Sequence, residues 1–149
     1  MTDVVLAKVE DKTTEFFPPL GLMYISNSLE KNGIENEIWH GKNIDNFEKF
    51  VEQENPEFCG FTTLTAPMLE STIEATRRVH DKGFETVWCG VHATTMPEKC
   101  YELPYVDHVI VREAEETFPK LVQGEGGIVD SPFLDKLDRY NPNWNKISD

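Results

Sequence analysis

The chain has 149 residues, 27 acidic and 14 basic, for a formal net charge of -13 at pH 7. That length suits one domain with a real core, and 39% hydrophobic with 28% charged residues is the balance of a folded globular protein. The acidic surplus argues against nucleic acid, whose phosphates each want a Lys or Arg, and against anionic membrane surfaces. No apolar run approaches the roughly 20 residues of a membrane span and no basic-then-apolar leader opens the chain, so a cytoplasmic location is expected. Cys59, Cys89 and Cys100 are few and odd in number, which disfavours a disulfide framework.

In chain order, Val4 to Val9 is a β-rich run that reads as a first buried strand. Pro18 and Pro19 suit a helix start, and Leu22, Ile25, Ser26 and Leu29 then recur at helical spacing until Asn32-Gly33. Ile34 to His40 alternates as a second strand. Asn43 is placed to cap a second helix with Ile44, Phe47, Phe50 and Val51 on its apolar face, ended by Asn55-Pro56. Phe58 to Thr63 reads as a third strand, and Pro67 opens a third helix that Gly83 ends. Thr86 to Cys89 and His108 to Val111 are the fourth and fifth strands. Phe118, Leu121 and Val122 mark a last helix with Gly124 beyond it.

Strands alternating with helices predict an α/β, doubly wound, flavodoxin-like sheet of five parallel strands in the order 2-1-3-4-5. Residues 1–124 form the domain in this reading. Residues 125–149, rich in Gly, Pro and Asp, are expected as a linker or docking tail, with Trp144 either a partner's anchor or folded back. Ligands of such sheets bind beyond the carboxyl ends of the strands, where the strand order reverses. The segments after the first, third, fourth and fifth strands should therefore share one rim. Thr62, Thr63, Thr65, Thr94 and Thr95 make it hydroxyl-rich, and Gly90 and Ala93 offer close backbone approach. No Gly-rich loop ends in Lys-Ser/Thr, and no G-x-G-x-x-G follows the first strand, which disfavours nucleotide hydrolysis and ordinary dinucleotide binding.

Four motifs on this rim are recognisable. Pro18-Pro19-Leu20-Gly21-Leu22-Met23-Tyr24-Ile25 is followed by Gly60-Phe61-Thr62-Thr63-Leu64-Thr65, and then by Cys89-Gly90-Val91-His92-Ala93-Thr94 with Pro97-Glu98. The last runs from Val106-Asp107 through Val111 to Glu113, Glu115, Thr117 and Phe118. In this order they resemble the cobalamin-binding domain that precedes the barrel in cobalamin-dependent radical SAM enzymes. Leu134-Asp135-Lys136-Leu137-Asp138 with Asn141-Pro142-Asn143-Trp144 is similar to the linker into that barrel. The resemblance implies a cobalamin (vitamin B12) binding module that acts with a radical SAM domain or partner subunit in methyl transfer. It places cofactor contacts at Leu20, Gly21, Thr62, Thr63, Leu64, Thr65, Cys89, Gly90, His92, Ala93, Thr94, Arg112, Glu113, Ala114 and Glu115. It implies a cobalt held by the corrin, with no protein axial ligand and no catalytic residue assigned.

Three positions depart from the family pattern. Cys89 replaces the first of two glycines, and Arg112-Glu113-Ala114-Glu115 stands where the family has Gly-Glu-Gly-Glu. Added side chains there can fill the slot for the nucleotide tail, and Arg112 can either clash or reach a ligand phosphate. Two readings follow: a cofactor carrier, or a degenerate fold that no longer binds cobalamin and serves as an interaction or regulatory module. The Cys-x-x-x-Cys-x-x-Cys of a radical SAM cluster is absent from these 149 residues, so the radical chemistry needs a partner. His92 is read as a turn-shaping histidine rather than a metal ligand, Cys59 as a core residue, and Glu113, Glu115 and Glu116 as carboxylates drawn to a helix start.

Overall fold

The computed structural model describes residues 2–13, 17–64, 68–124, 126–130 and 142–146. Thr65, Pro67 and the 131–141 stretch, each given an expectation above, lie outside them, as does the side chain of Trp144. The described chain runs β1 (Val4–Val9), α1 (Leu20–Lys31), β2 (Asn36–Gly41), α2 (Ile44–Glu54), β3 (Phe58–Thr62) and α3 (Met68–Asp81). It continues with β4 (Glu85–Cys89), α4 (Val91–Thr95), α5 (Pro97–Tyr101), β5 (His108–Val111), α6 (Thr117–Val122) and β6 (Ile128–Asp130), and a 3-10 turn spans Trp144–Lys146. No helix among the described residues is long and apolar enough to cross a membrane.

Strand alternation decides the layering. Val4 and Leu6 of β1, Val87 and Cys89 of β4, and Ile110 of β5 point to one face, where α1 and α6 cover them with Leu22, Met23, Ile25, Leu29, Phe118 and Leu121. Val5, Ala7, Val9, Phe61, Trp88 and Val109 point to the other, against Phe47, Val51, Ala75, Val79, Ala93 and Cys100 of α2 to α5. Both faces are dry because a parallel sheet buries both of its sides. Gly60 is needed where α6 comes down on β3, since a Cβ there would sit 2.7 Å from the Phe118 ring. The fully buried Trp88 places its indole N–H 3.0 Å from Thr76 Oγ1, which spares it an unmade hydrogen bond. Asn43 caps α2 as expected, its side chain accepting from Asn46 N at 3.1 Å.

The strand order is β2-β1-β3-β4-β5-β6, all parallel. The order 2-1-3-4-5 stands, and the expected count of five is corrected to six. The extra strand, three residues long and half exposed, comes from the segment expected as linker, and it pairs Val109↔Ile128 through Val111↔Asp130. Such a short run carries no periodic signal of its own; β5 supplies the template. Farther on, Asn143 returns to α1, donating from its main chain to Met23 O (3.0 Å) and from its amide to Ser26 Oγ (3.2 Å). The switch of direction between β1 and β3 opens the crevice that concerns function.

Candidate functional site

α1 starts at the switch point after Pro18-Pro19, with no side chain capping it and no acidic residue in its first turn. Beside that start lie two adjoining clefts. One, of about 170 Å3, is lined by Lys8, Pro18, Pro19, Leu20, Gly21, Leu22, Thr62 and Leu64. The other, of about 190 Å3, is walled by Gly21, Leu22, Ile25, Thr62, Cys89, Gly90 and residues 112–115. Gly21, Leu22 and Thr62 belong to both, so the clefts form one groove. Each is smaller than the roughly 300–1,000 Å3 of a cleft that encloses a whole ligand, and suits one arm of a large one. A larger surface depression, about 520 Å3, lies at the amino end of β2 among Glu30, Glu35, Glu37 and Lys146. It is on the wrong edge of the sheet for the ligand of a doubly wound fold.

Around the groove the rim is apolar. Phe17, Leu20, Leu64 and Val91 are exposed on the segments that leave β1, β3 and β4, with Val91 60% and Phe17 59% accessible. Exposed apolar side chains gathered on one rim mark a binding surface.

The residues expected to contact a cofactor divide into three groups. Leu20, Gly21, Thr62, Leu64, Cys89, Gly90, Arg112, Glu113, Ala114 and Glu115 line the groove. Thr63, His92, Ala93 and Thr94 do not, and each has work in the scaffold. Thr63 is fully buried, its hydroxyl donating to Cys89 O (2.6 Å) and accepting from Ala93 N (3.1 Å). His92 donates from its main chain to Thr63 O at 3.1 Å, and the Thr94 hydroxyl accepts from Arg112 N at 2.8 Å. Thr65 is outside the described residues. Lys8, Leu22 and Ile25 join the groove unforeseen; they read in sequence as strand and helix residues, and only the packing of α1 across β1 and β3 turns them toward it.

Gly90 is held at φ +94°, and a Cβ there would lie 2.9 Å from Thr62 Oγ1 and from the Thr63 backbone. Its missing side chain thus serves the close approach of the β3 and β4 loops. Cys89 and Ala114, the two smaller departures from the family pattern, are buried in the wall. Burial pushes the Cys89 thiol up to about 12, and it donates to Phe61 O at 3.4 Å, so it stays a protonated wall group. Among the described residues no group of three or more His, Cys, Asp or Glu side chains could hold a metal ion.

Arg112 adopts φ +70°, a left-handed conformation that suits the glycine of the family pattern. Its guanidinium turns to the sixth strand and pairs with Asp130 at 2.9 Å. The groove therefore keeps its space despite the larger residue. Glu115 closes the wall. Its side chain is buried, and its Oε2 is without a hydrogen-bond partner among the described residues. Burial raises its pKa above the usual carboxylate range against a lowering bond from its own N–H, and Glu113 and Glu116 add to the rise. Ser28 Oγ donates to the Glu115 carbonyl and ties this loop to α1.

Solved structures share this fold. A radical S-adenosylmethionine methyltransferase, TsrM, from Kitasatospora setae, with tryptophan substrate and a SAM analogue bound, superposes with TM-score 0.71 at 17% identity. That match covers 82% of this chain and 25% of the methyltransferase, so the chain spans about a quarter of that enzyme's length. The same enzyme with cobalamin and a 4Fe–4S cluster bound gives TM-score 0.65 at 17% identity, covering 83% and 24%. A cobalamin-binding protein from Desulfitobacterium hafniense DCB-2 gives 0.61 at 17% identity, covering 82% and 57%. No curated protein matches the chain in sequence. The family described as B12 binding domain matches residues 4–122, from the first strand to the end of α6. The chain belongs to the B12-binding domain family.

Proposed function

We propose that this domain binds cobalamin across the carboxyl edge of its sheet, with the corrin on the apolar rim and the nucleotide arm in the groove. One observation carries the reading: a cleft remains at the switch point although Cys89, Arg112 and Ala114 line it in place of three bare positions, with the Arg112 guanidinium paired to Asp130. The donor set fits as well, since a buried polar atom, Glu115 Oε2, waits in an otherwise largely apolar wall.

In this reading the exposed Leu20, Leu64 and Val91 would hold the corrin and exclude water from it. Leu22, Ile25, Cys89 and Ala114 pack the arm, and Thr62 and Glu115 supply the polar contacts. Bound cobalamin supplies a cobalt that can carry a methyl group, and no residue here is assigned as its axial ligand. The partner is a radical SAM domain or subunit, which brings the cluster that these 149 residues lack. The fold likeness to the methyltransferase supports this. Residues 1–124 supply the cofactor contacts, and residues 125–149, of which 128–130 add β6 to the sheet, lead to the partner.

Hydroxocobalamin added to the purified protein, followed by desalting, tests the proposal. The visible corrin spectrum is expected to co-elute at about one equivalent. A colourless protein fraction at high ligand excess would overturn it and leave the interaction module.

A further inference from the structure

Resting on the cobalamin reading, one residue of the groove carries more. Glu115 is 6% exposed, and its Oε2 faces no partner among the described residues. A buried polar atom left unpaired is unfavourable, and a ligand that meets it removes that cost. Its cleft offers mostly apolar walls: Leu22, Ile25, Cys89 and Ala114. Such walls suit the faces of a planar aromatic ring. The charges exclude an anion as the partner of Oε2, because Glu113 and Glu116 share the loop and Arg112 is paired with Asp130. The phosphodiester of the arm would therefore lie away from Oε2.

We infer that Glu115 selects the aromatic base on the lower arm of the corrinoid, its Oε2–H donating to an unprotonated ring nitrogen of that base. Donation requires the neutral acid, the form that burial among carboxylates favours. The side chain is a specificity device: it leaves the corrin contacts alone and discriminates between arms. A base with a pyridine-type nitrogen, such as a benzimidazole, satisfies the acid. An arm ending in a phenol-type ring leaves the acid unpaired, which is how buried polar groups reject an analogue that lacks their partner.

The experiment measures dissociation constants by visible titration for three corrinoids. These are hydroxocobalamin, a cobamide carrying p-cresol in place of the base, and cobinamide, which lacks the arm. Relative to Glu115→Leu, the wild-type protein is expected to favour cobalamin over the p-cresol cobamide by roughly tenfold, the effect of one buried hydrogen bond. The cost of freeing the base nitrogen from cobalt cancels in this comparison. Glu115→Leu should lose that tenfold while binding cobinamide as the wild type does. Glu115→Gln, which keeps a donor and cannot ionise, should restore most of it. The same ratio of the two cobamide affinities in wild type and Glu115→Leu overturns the inference while leaving the cobalamin reading intact. Failure of the wild type to bind any of the three corrinoids overturns both. Cobinamide binding also verifies that each variant is folded.

Discussion

Glu10 and Glu115 lie at the same edge of one sheet, on either side of β3, and are 1% and 6% exposed. Their surroundings differ completely. Glu10 follows β1 and meets Lys8 Nζ at 3.0 Å and His40 Nε2 at 2.9 Å, two residues that the register places opposite one another. Lys8 also donates to the carbonyl of Phe17, which fastens the approach to α1. Glu115 follows β5 and has a carboxyl oxygen with no partner among the described residues. A buried carboxylate is tolerable if it is paired or if it is neutral, and this edge uses both solutions. The paired corner is scaffold, and the unpaired one borders the groove.

The largest expected effect breaks the paired corner. Glu10→Ala leaves Lys8 and His40, with side chains only 12% and 7% exposed, without their shared carboxylate. It should cost about 3 kcal/mol, read as a lowered urea midpoint and melting temperature. Glu115→Leu should change stability by less than about 1 kcal/mol, with gain the expected sign, since it removes an unpaired group. Equal losses from the two variants would dissolve the distinction.

Acidity sharpens the contrast, because the two corners respond with opposite sign. Burial holds His40 below its ordinary 6.5, outweighing the bond to Glu10 that raises it, while the nearby Lys8 charge lowers it further. The unfolded chain then takes up this proton more readily, and the corner loses stability as pH falls below about 6.5. Glu115 lies above its ordinary 4.5, so here the folded chain holds the proton more tightly, and stability is lost as pH rises beyond 4.5. Urea unfolding between pH 4.5 and 7 should show the stability gain of Glu115→Gln over wild type growing with pH. His40→Asn should flatten the loss on acidification. Two slopes of the same sign would refute the assignment.

The smallest effect concerns the largest side chain. Arg112→Gly relieves a left-handed backbone and gives up an exposed ion pair worth little, for a net gain of roughly 0.5 kcal/mol. If the cobalamin reading holds, its affinity should stay within about twofold, since the guanidinium already points to Asp130. A tenfold gain would mean that Arg112 obstructs the arm, and a tenfold loss that it holds the phosphate.

Much of the fold was legible in the residues. The β-rich run Val4–Val9, the Leu22, Ile25 and Leu29 stripe and the Asn43 cap are local patterns, and local patterns specify strands and helices. The first five strands and their order followed from them and from crossover handedness. The groove was legible as a rim, because the switch-point rule needs only topology. The short helices α4 and α5 escaped notice, being five residues each with Met96 between them.

Sequence alone thus determined the elements, their order, the family motifs and the edge where a ligand belongs, since all of these rest on spacing along the chain. Only the tertiary structure decided that a sixth strand forms, that its Asp130 pairs with Arg112, and that the Thr63 hydroxyl bridges Cys89 and Ala93. It also decided that one glutamate of the edge is paired while the other keeps an oxygen without a partner among the described residues. Those outcomes depend on which groups from distant segments share a buried space, and neither charge pairing nor burial has a period that can be read along a chain.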